Sequence, residues 1–276
     1  MGASLNLYDT KLPVLKIVSA DVGTKYEYIG SGEEGIVYKF DERTAIKIFR
    51  PFDNRFYRGL KFQKVETYVR FDDDAFTYPI GLVGYEDEQK EGYYMGLVHV
   101  HEKYPTFNTL VHYPNPEQKM GIILDGDRAI RRAHHKGLFL GDIKNKNILI
   151  DRDLNIIFAD TDNFGGLGFG HDVEPLRANW LAQTYGQTFS KKDIDKFLYA
   201  LKAIHIIIGY PIYELPKEFY YELIMKLDVS ISIKNGLLEI FSDLREKPYI
   251  GEVLKDVDPS VKILSLENAT KLNLND

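Results

Sequence analysis

The chain contains no cysteine, which excludes disulfides, thiolate metal sites and cysteine nucleophiles and makes a reducing compartment natural. It also lacks a basic excess: 35 Lys and Arg stand against 41 Asp and Glu, a formal net charge of −6. Nonspecific nucleic-acid binding needs the opposite balance, because phosphates have to be neutralised, so no nucleic-acid partner is expected. Long apolar runs are missing too. The most apolar stretch, "ALKAIHIIIGYPI" from Ala200, carries Lys202 and is too short to span a bilayer. The opening "MGASLNLYDTK" has no basic region followed by an apolar one, so it does not read as a secretory signal, and Asn6 stands where a myristoylation motif wants Ser or Thr. These absences lead us to expect a cytoplasmic protein with no membrane partner.

What is present is ordinary globular material. A hydrophobic share of 44% and a charged share of 28% over 276 residues allow a real core, in one large domain or two packed lobes. The first third is strand-like. "YEYIGSGEEGIVYKF" (Tyr26–Phe40) carries β-rich segments on both sides of a glycine-rich turn, "TAIKIF" (Thr44–Phe49) follows the turn "DER", and "PIGLVGYE" and "YYMGLVHV" come later. Between them Phe62, Val65 and Val69 recur at helical spacing. After a proline-marked region, Glu117 to His135 reads as a helix, and from Ser190 the pattern is mostly helical. Strands first and helices afterwards predict an α+β protein with two lobes.

Four segments carry chemistry. In "GSGEEGIVY", Gly30, Gly32, Gly35 and Val37 match G-x-G-x-x-G-x-V, in which glycine lets a strand turn tightly and bring its amides near phosphates. A dinucleotide-binding unit would follow such glycines with a helix, whereas the β-branched and aromatic "IVYKF" follows here. Ten residues beyond Val37, Lys47 lies within "AIKIF". An unpaired ammonium among apolar neighbours is costly, so Lys47 wants anionic partners; a nucleotide phosphate and Glu66, on the expected helix, would serve. In "LGDIKNKNILID", Asp142, Lys144 and Asn147 give D-x-K-x-x-N before an apolar strand. Asp160, 13 residues after Asn147, ends the strand "NIIFA". Asp162 offers a second carboxylate, read first as a turn residue, although a D-x-D pair also suits a hard cation such as Mg²⁺.

In this order the segments resemble the protein kinase superfamily, over about Lys25 to Leu254. The resemblance implies a strand-rich N-lobe over 25–98 and a helical C-lobe over 99–262, with an N-terminal extension (1–24) and a C-terminal tail (263–276). It implies ATP and Mg²⁺ as cofactors and phosphoryl transfer to Ser or Thr of a protein substrate. Asp142 would take or orient the substrate hydroxyl proton, Lys144 and Lys47 would neutralise phosphate charge, and Glu66 would hold Lys47. Asn147 and Asp160 would hold the metal. Nucleotide contacts would come from Gly30, Ser31, Gly32, Glu33, Glu34, Gly35, Val37, Ala45, Lys47, Met95, Gly96 and Val98. Asp195 resembles the aspartate that hydrogen-bonds the catalytic-loop backbone.

The pattern also departs from the family. Leu140-Gly141 replaces the His-Arg before the catalytic aspartate, Glu33 and Glu34 put two carboxylates in the phosphate lid, and no A-P-E sequence follows Asp160. A "GD" before the loop is shared with small-molecule kinases such as aminoglycoside and choline kinases. Two alternatives therefore stand beside the protein kinase reading: a small-molecule hydroxyl kinase on the same fold, and a pseudokinase acting as an interaction module. The histidines at 99, 101, 134 and 135 are not read as metal ligands.

Overall fold

In the computed structural model the β-branched runs of the first third become strands. The structure describes residues 12–18, 22, 24–32, 35–42, 44–50, 63–68, 73–86, 94–100, 106–112, 115–168, 189–208, 217–227, 229–242 and 246–257. The fold is mixed, with strands and helices segregated along the chain as the sequence predicts. Two compact units form: Met1–Lys103 with Ala159–Asp162, and Tyr104–Phe158 with Asn163–Asp276. The sequence reading divides the lobes after Val98 as unbroken stretches, whereas the units divide after Lys103 and four later residues join the first.

The first unit holds a six-stranded sheet. Its strands are β1 (Val14–Val18), β2 (Glu27–Ser31), β3 (Gly35–Lys39), β4 (Thr44–Phe49), β5 (Gly81–Glu86) and β6 (Tyr94–Val100), in the order β1-β5-β6-β4-β3-β2. A helical segment, α1, covers 63–68. Strand β4 explains the arrangement. Side chains alternate across a strand, so Ala45, Lys47 and Phe49 share one face and Ile46 and Ile48 the other. Ile46 is fully buried with Ile17 and Val83, and Leu15, Tyr38, Phe40 and Ile48 pack around them. Each such buried aliphatic contributes about 1.5–3 kcal/mol.

The extension expected over 1–24 contains a strand that sequence reasoning leaves unassigned: β1 runs parallel to β5, pairing Val14 with Leu82 through Val18 with Glu86. Its Ile17 enters the core, while exposed Lys16 guards the sheet edge.

The second unit is built around two long helices. In α2 (Pro116–His135), the Asn115 side chain accepts from the amides of Glu117 and Gln118, and Pro116 occupies the first helical position, where its missing N–H costs nothing. Buried Met120, Ile122, Ile123, Ala129, Ile130 and Ala133 form its core face. Helix α3 (Lys191–Ile208) is buried along most of its length. The remaining elements are β7 (Leu138–Phe139), β8 (Ile148–Ile150), β9 (Ile156–Phe158), β10 (Gly165–Gly166), α4 (Lys217–Met225), α5 (Ile231–Phe241) and α6 (Ile250–Leu254). Strands β8 and β9 form a hairpin, and β7 pairs with β10. The hairpin turn is held by Asp151, whose carboxylate accepts from the amides of Asp153 and Asn155. Among the described residues no helix is long and apolar enough to cross a membrane.

Helices α2 and α3 meet where α2 has no side chain. Tyr199 on α3 donates its hydroxyl to the Ile123 carbonyl at 2.8 Å, and a Cβ on Gly126 would lie 2.0 Å from that hydroxyl oxygen. Gly121, one and a half turns earlier, faces open space. Gly121→Ala is therefore expected to stabilise the protein by up to about 1 kcal/mol, through helix propensity alone. Gly126→Ala should destabilise it by about 1–3 kcal/mol through overpacking. Urea unfolding of the two variants checks this contrast, and equal effects would show that the helices do not depend on the gap.

Candidate active site

The second unit positions the D-x-K-x-x-N loop through a buried carboxylate. Asp195, in the first turns of α3, has no exposure to solvent. Its Oδ1 accepts from the Gly141 amide at 2.7 Å, and its Oδ2 accepts from the Leu140 amide at 2.7 Å. Oδ2 also lies 2.9 Å from His134 Nε2, at the C-terminal end of α2. The other ring nitrogen, Nδ1, lies 2.8 Å from the Tyr249 hydroxyl. Burial, the largest cause, pushes the Tyr249 phenol up to about 12, so it keeps its proton and can donate to Nδ1. That fixes the Nε2–H tautomer, with its proton directed at Asp195.

Tyr249 is itself clamped. The Arg131 guanidinium stacks 4.1 Å from its ring centroid and Lys196 Nζ lies 4.6 Å away. The Lys196 ammonium also donates to the Lys247 carbonyl at 2.7 Å. A chain of contacts therefore runs from the residue before α6 to the backbone immediately ahead of Asp142.

Gly141 has φ +71°, a left-handed conformation in which a side chain is strained. This is the physical reason that glycine suits position 141. Next to it, Asp142 is 8% exposed. Lys144 Nζ lies 2.7 Å from Asp142 Oδ2, and Asn147 Nδ2 donates to the Asp142 carbonyl at 3.1 Å and to Oδ2 at 3.3 Å. The loop brings Asp142, Lys144 and Asn147 together on one carboxylate, and the 3-10 turn Asn145–Asn147 leads directly into β8. With its Nδ2 committed to Asp142, the amide oxygen of Asn147 is the end that would ligate a cation.

The first unit gathers a second set. Lys47 Nζ lies 2.7 Å from Asp160 Oδ1 and 2.9 Å from Asp162 Oδ2, above the Phe49 ring at 5.7 Å. Asp160 holds φ +62°, uncommon for a residue with a side chain and a form of strain that gathers at functional sites. Asp162 lies on the 3-10 turn Thr161–Asn163, and fully buried Thr161 fastens that turn by donating to the Thr77 carbonyl at 2.7 Å. Reading Asp162 first as a turn residue is thus incomplete: it is in a turn, but its carboxylate is buried on Lys47. Glu66, the carboxylate that sequence reasoning gives to Lys47, is half-buried on α1.

The glycines divide into two kinds. A Cβ on Gly35 would come 2.4 Å from the Ile48 carbonyl oxygen, so the close pairing of β3 with β4 requires this glycine. Gly30 and Gly32 face open space, leaving room for a ligand to approach the β2–β3 backbone. Ser31 ends β2 beside Tyr28, Val37 pairs with Lys47 across the sheet, and Ala45 is buried on β4. Gly96 and Val98 on β6 pair with Ile48 and Ile46, while Met95 shares that strand. Side chains of Met95 and Val98, and all of Glu33 and Glu34, lie outside the described residues.

The donor chemistry suits Mg²⁺. Asp160 in the first unit and Asn147 in the second each offer a hard oxygen, and among the described residues no three His, Asp or Glu side chains form a metal site. Mg²⁺ in general takes such oxygens one or two at a time and completes its shell with phosphates and water. Sequence reasoning misses His134 and Tyr249, because neither has a local motif; their only sequence signal is placement at the ends of elements.

Asp195→Ala should leave the Leu140 and Gly141 amides without their acceptor and destabilise the protein by about 2–5 kcal/mol. Amide hydrogen exchange at these two positions should accelerate at least tenfold, measured by NMR or mass spectrometry. Unchanged protection would show that the loop is held by something else. No protein-family model matches this chain, and comparison with curated proteins finds no match.

Proposed function

We propose that the chain is an ATP-dependent phosphotransferase of the two-lobed protein kinase type, using Mg²⁺ and transferring the γ-phosphoryl to a Ser or Thr hydroxyl of a protein. The observation that carries this reading is the convergence of Lys144 and Asn147 on Asp142, in a loop whose backbone is pinned by Asp195. A carboxylate that must receive a proton benefits from rigid placement, and a neighbouring ammonium suits charge developing on a transferred phosphoryl group. The Lys47–Asp160 pair adds the phosphate-binding and cation-binding residue types that the same reaction needs.

In this mechanism the substrate hydroxyl sits against Asp142, which accepts its proton as the oxygen attacks the γ-phosphorus. One P–O bond forms to that oxygen while the bond to the β–γ bridging oxygen breaks, and ADP leaves. Lys144, whose Nζ lies 2.7 Å from Asp142 Oδ2, would offset the charge on the moving group. Lys47 would donate to the nucleotide phosphates, and the open space at Gly30 and Gly32 leaves them room beside the β2–β3 backbone. Asp160 and the Asn147 oxygen would hold Mg²⁺, which when bound neutralises phosphate charge.

A small-molecule hydroxyl would use the same Asp142 chemistry, and the left-handed Gly141 serves either acceptor. A labelled-ATP assay with protein substrates, small alcohols and the enzyme itself as acceptors decides among them, and transfer to none would favour the pseudokinase. Asp142→Asn should lower turnover by 10²-fold or more with ATP affinity nearly unchanged. An equal loss of ATP affinity would remove Asp142 from the proton-transfer role.

Activity should not require phosphorylation after Asp160. With glycine at 141 the usual arginine partner for a phosphate is absent, and residues 165–178 contain no Ser, Thr or Tyr. Thr184, Tyr185 and Thr188 are the nearest later acceptors and lie outside the described residues. Fully dephosphorylated protein should show its full initial rate, and a lag that ends with modification of one of these three would overturn the expectation.

A further inference from the structure

Two aspartates share one lysine in the first unit, and their surroundings differ in a way that assigns them different work. The Asp162 side chain has no solvent exposure, whereas that of Asp160 is 30% exposed. Asp162 meets Lys47 Nζ with both oxygens, at 2.9 and 3.3 Å, while Asp160 meets it through Oδ1 at 2.7 Å. Magnesium gives up its water reluctantly and demands near-octahedral geometry, so it reaches a carboxylate that solvent reaches. A fully buried carboxylate offers no such approach. It does need a fixed cation, because a buried charge deprived of its partner is strongly destabilising.

We infer that Asp162 is the permanent anchor of Lys47, a positioning residue, and that Asp160 exchanges the lysine for a divalent cation when nucleotide binds. The anchor rests on the geometry of the first unit alone; the exchange rests on the phosphotransfer reading. An ammonium has three donors. When a cation takes Asp160, the donor released from that carboxylate turns to the nucleotide phosphate, and Asp162 keeps the side chain in place. The turn carrying Asp162 cannot drift, since Thr161 is tied to the Thr77 carbonyl.

The test separates anchor from ligand by stability and by cation dependence. Lys47→Met should lower the melting temperature by several degrees. Adding Asp162→Asn should recover at least half of that loss, because the stranded buried charge is removed, and adding Asp160→Asn should recover little. Equal recovery by both, or none with Asp162→Asn, overturns the anchor. If Lys47→Met alone does not fold, a cooperative melt in Lys47→Met/Asp162→Asn but not in Lys47→Met/Asp160→Asn supports it.

Calorimetric titration of ADP with and without Mn²⁺ reads the exchange. Asp160→Asn should reduce the Mn²⁺-dependent gain in affinity at least tenfold. Asp162→Asn should weaken ADP binding in both conditions and leave that gain within about threefold. The reverse pattern overturns the division of labour. If the unaltered protein binds no ADP, the phosphotransfer reading and the exchange fall together, while the melting series still decides the anchor.

Discussion

The second unit depends on a carboxylate that water does not reach. Asp195 satisfies the two backbone amides at 140 and 141 and meets the His134 ring, so the chain entering Asp142 has almost no freedom left. A buried acceptor of this kind is expensive to leave unsatisfied, and the same cost makes its geometry unique. Everything downstream inherits that placement: the left-handed Gly141, the Lys144 ammonium over Asp142, and the Asn147 amide that closes the loop. The contact chain through His134 and Tyr249 carries the constraint to the residues before α6.

The first unit solves a related problem with the opposite charge. An ammonium on a central strand has to be paired, and β4 cannot supply the partner, because its own neighbours on that face are Ala45 and Phe49. The carboxylates arrive from a turn more than a hundred residues later, and Ala159–Asp162 belongs to this unit. Two carboxylates thus meet one ammonium.

Much of this was legible from local pattern. Alternation in "TAIKIF" gives the strand and the inward lysine, the pattern from Glu117 to His135 gives most of α2, and the order Asp142, Lys144, Asn147 selects the loop that Asp195 pins. These features depend on residues a few positions apart, and period, caps and turn chemistry act over that range.

Other features required the fold. Val14–Val18 has the composition of a strand, but its parallel partner is β5, nearly seventy residues away. The glycines at 35 and 126 look alike in sequence to those at 30 and 121, yet only a carbonyl of β4 and a tyrosine of α3 make the first pair indispensable. Asp162 reads as one more turn aspartate until burial leaves it against Lys47. The sequence by itself determined most of the strands and helices and which polar residues stand in the turns between them, because those follow from local spacing. The tertiary structure decided which charge answers which, because burial and the distance between oppositely charged groups are set only when distant segments pack together.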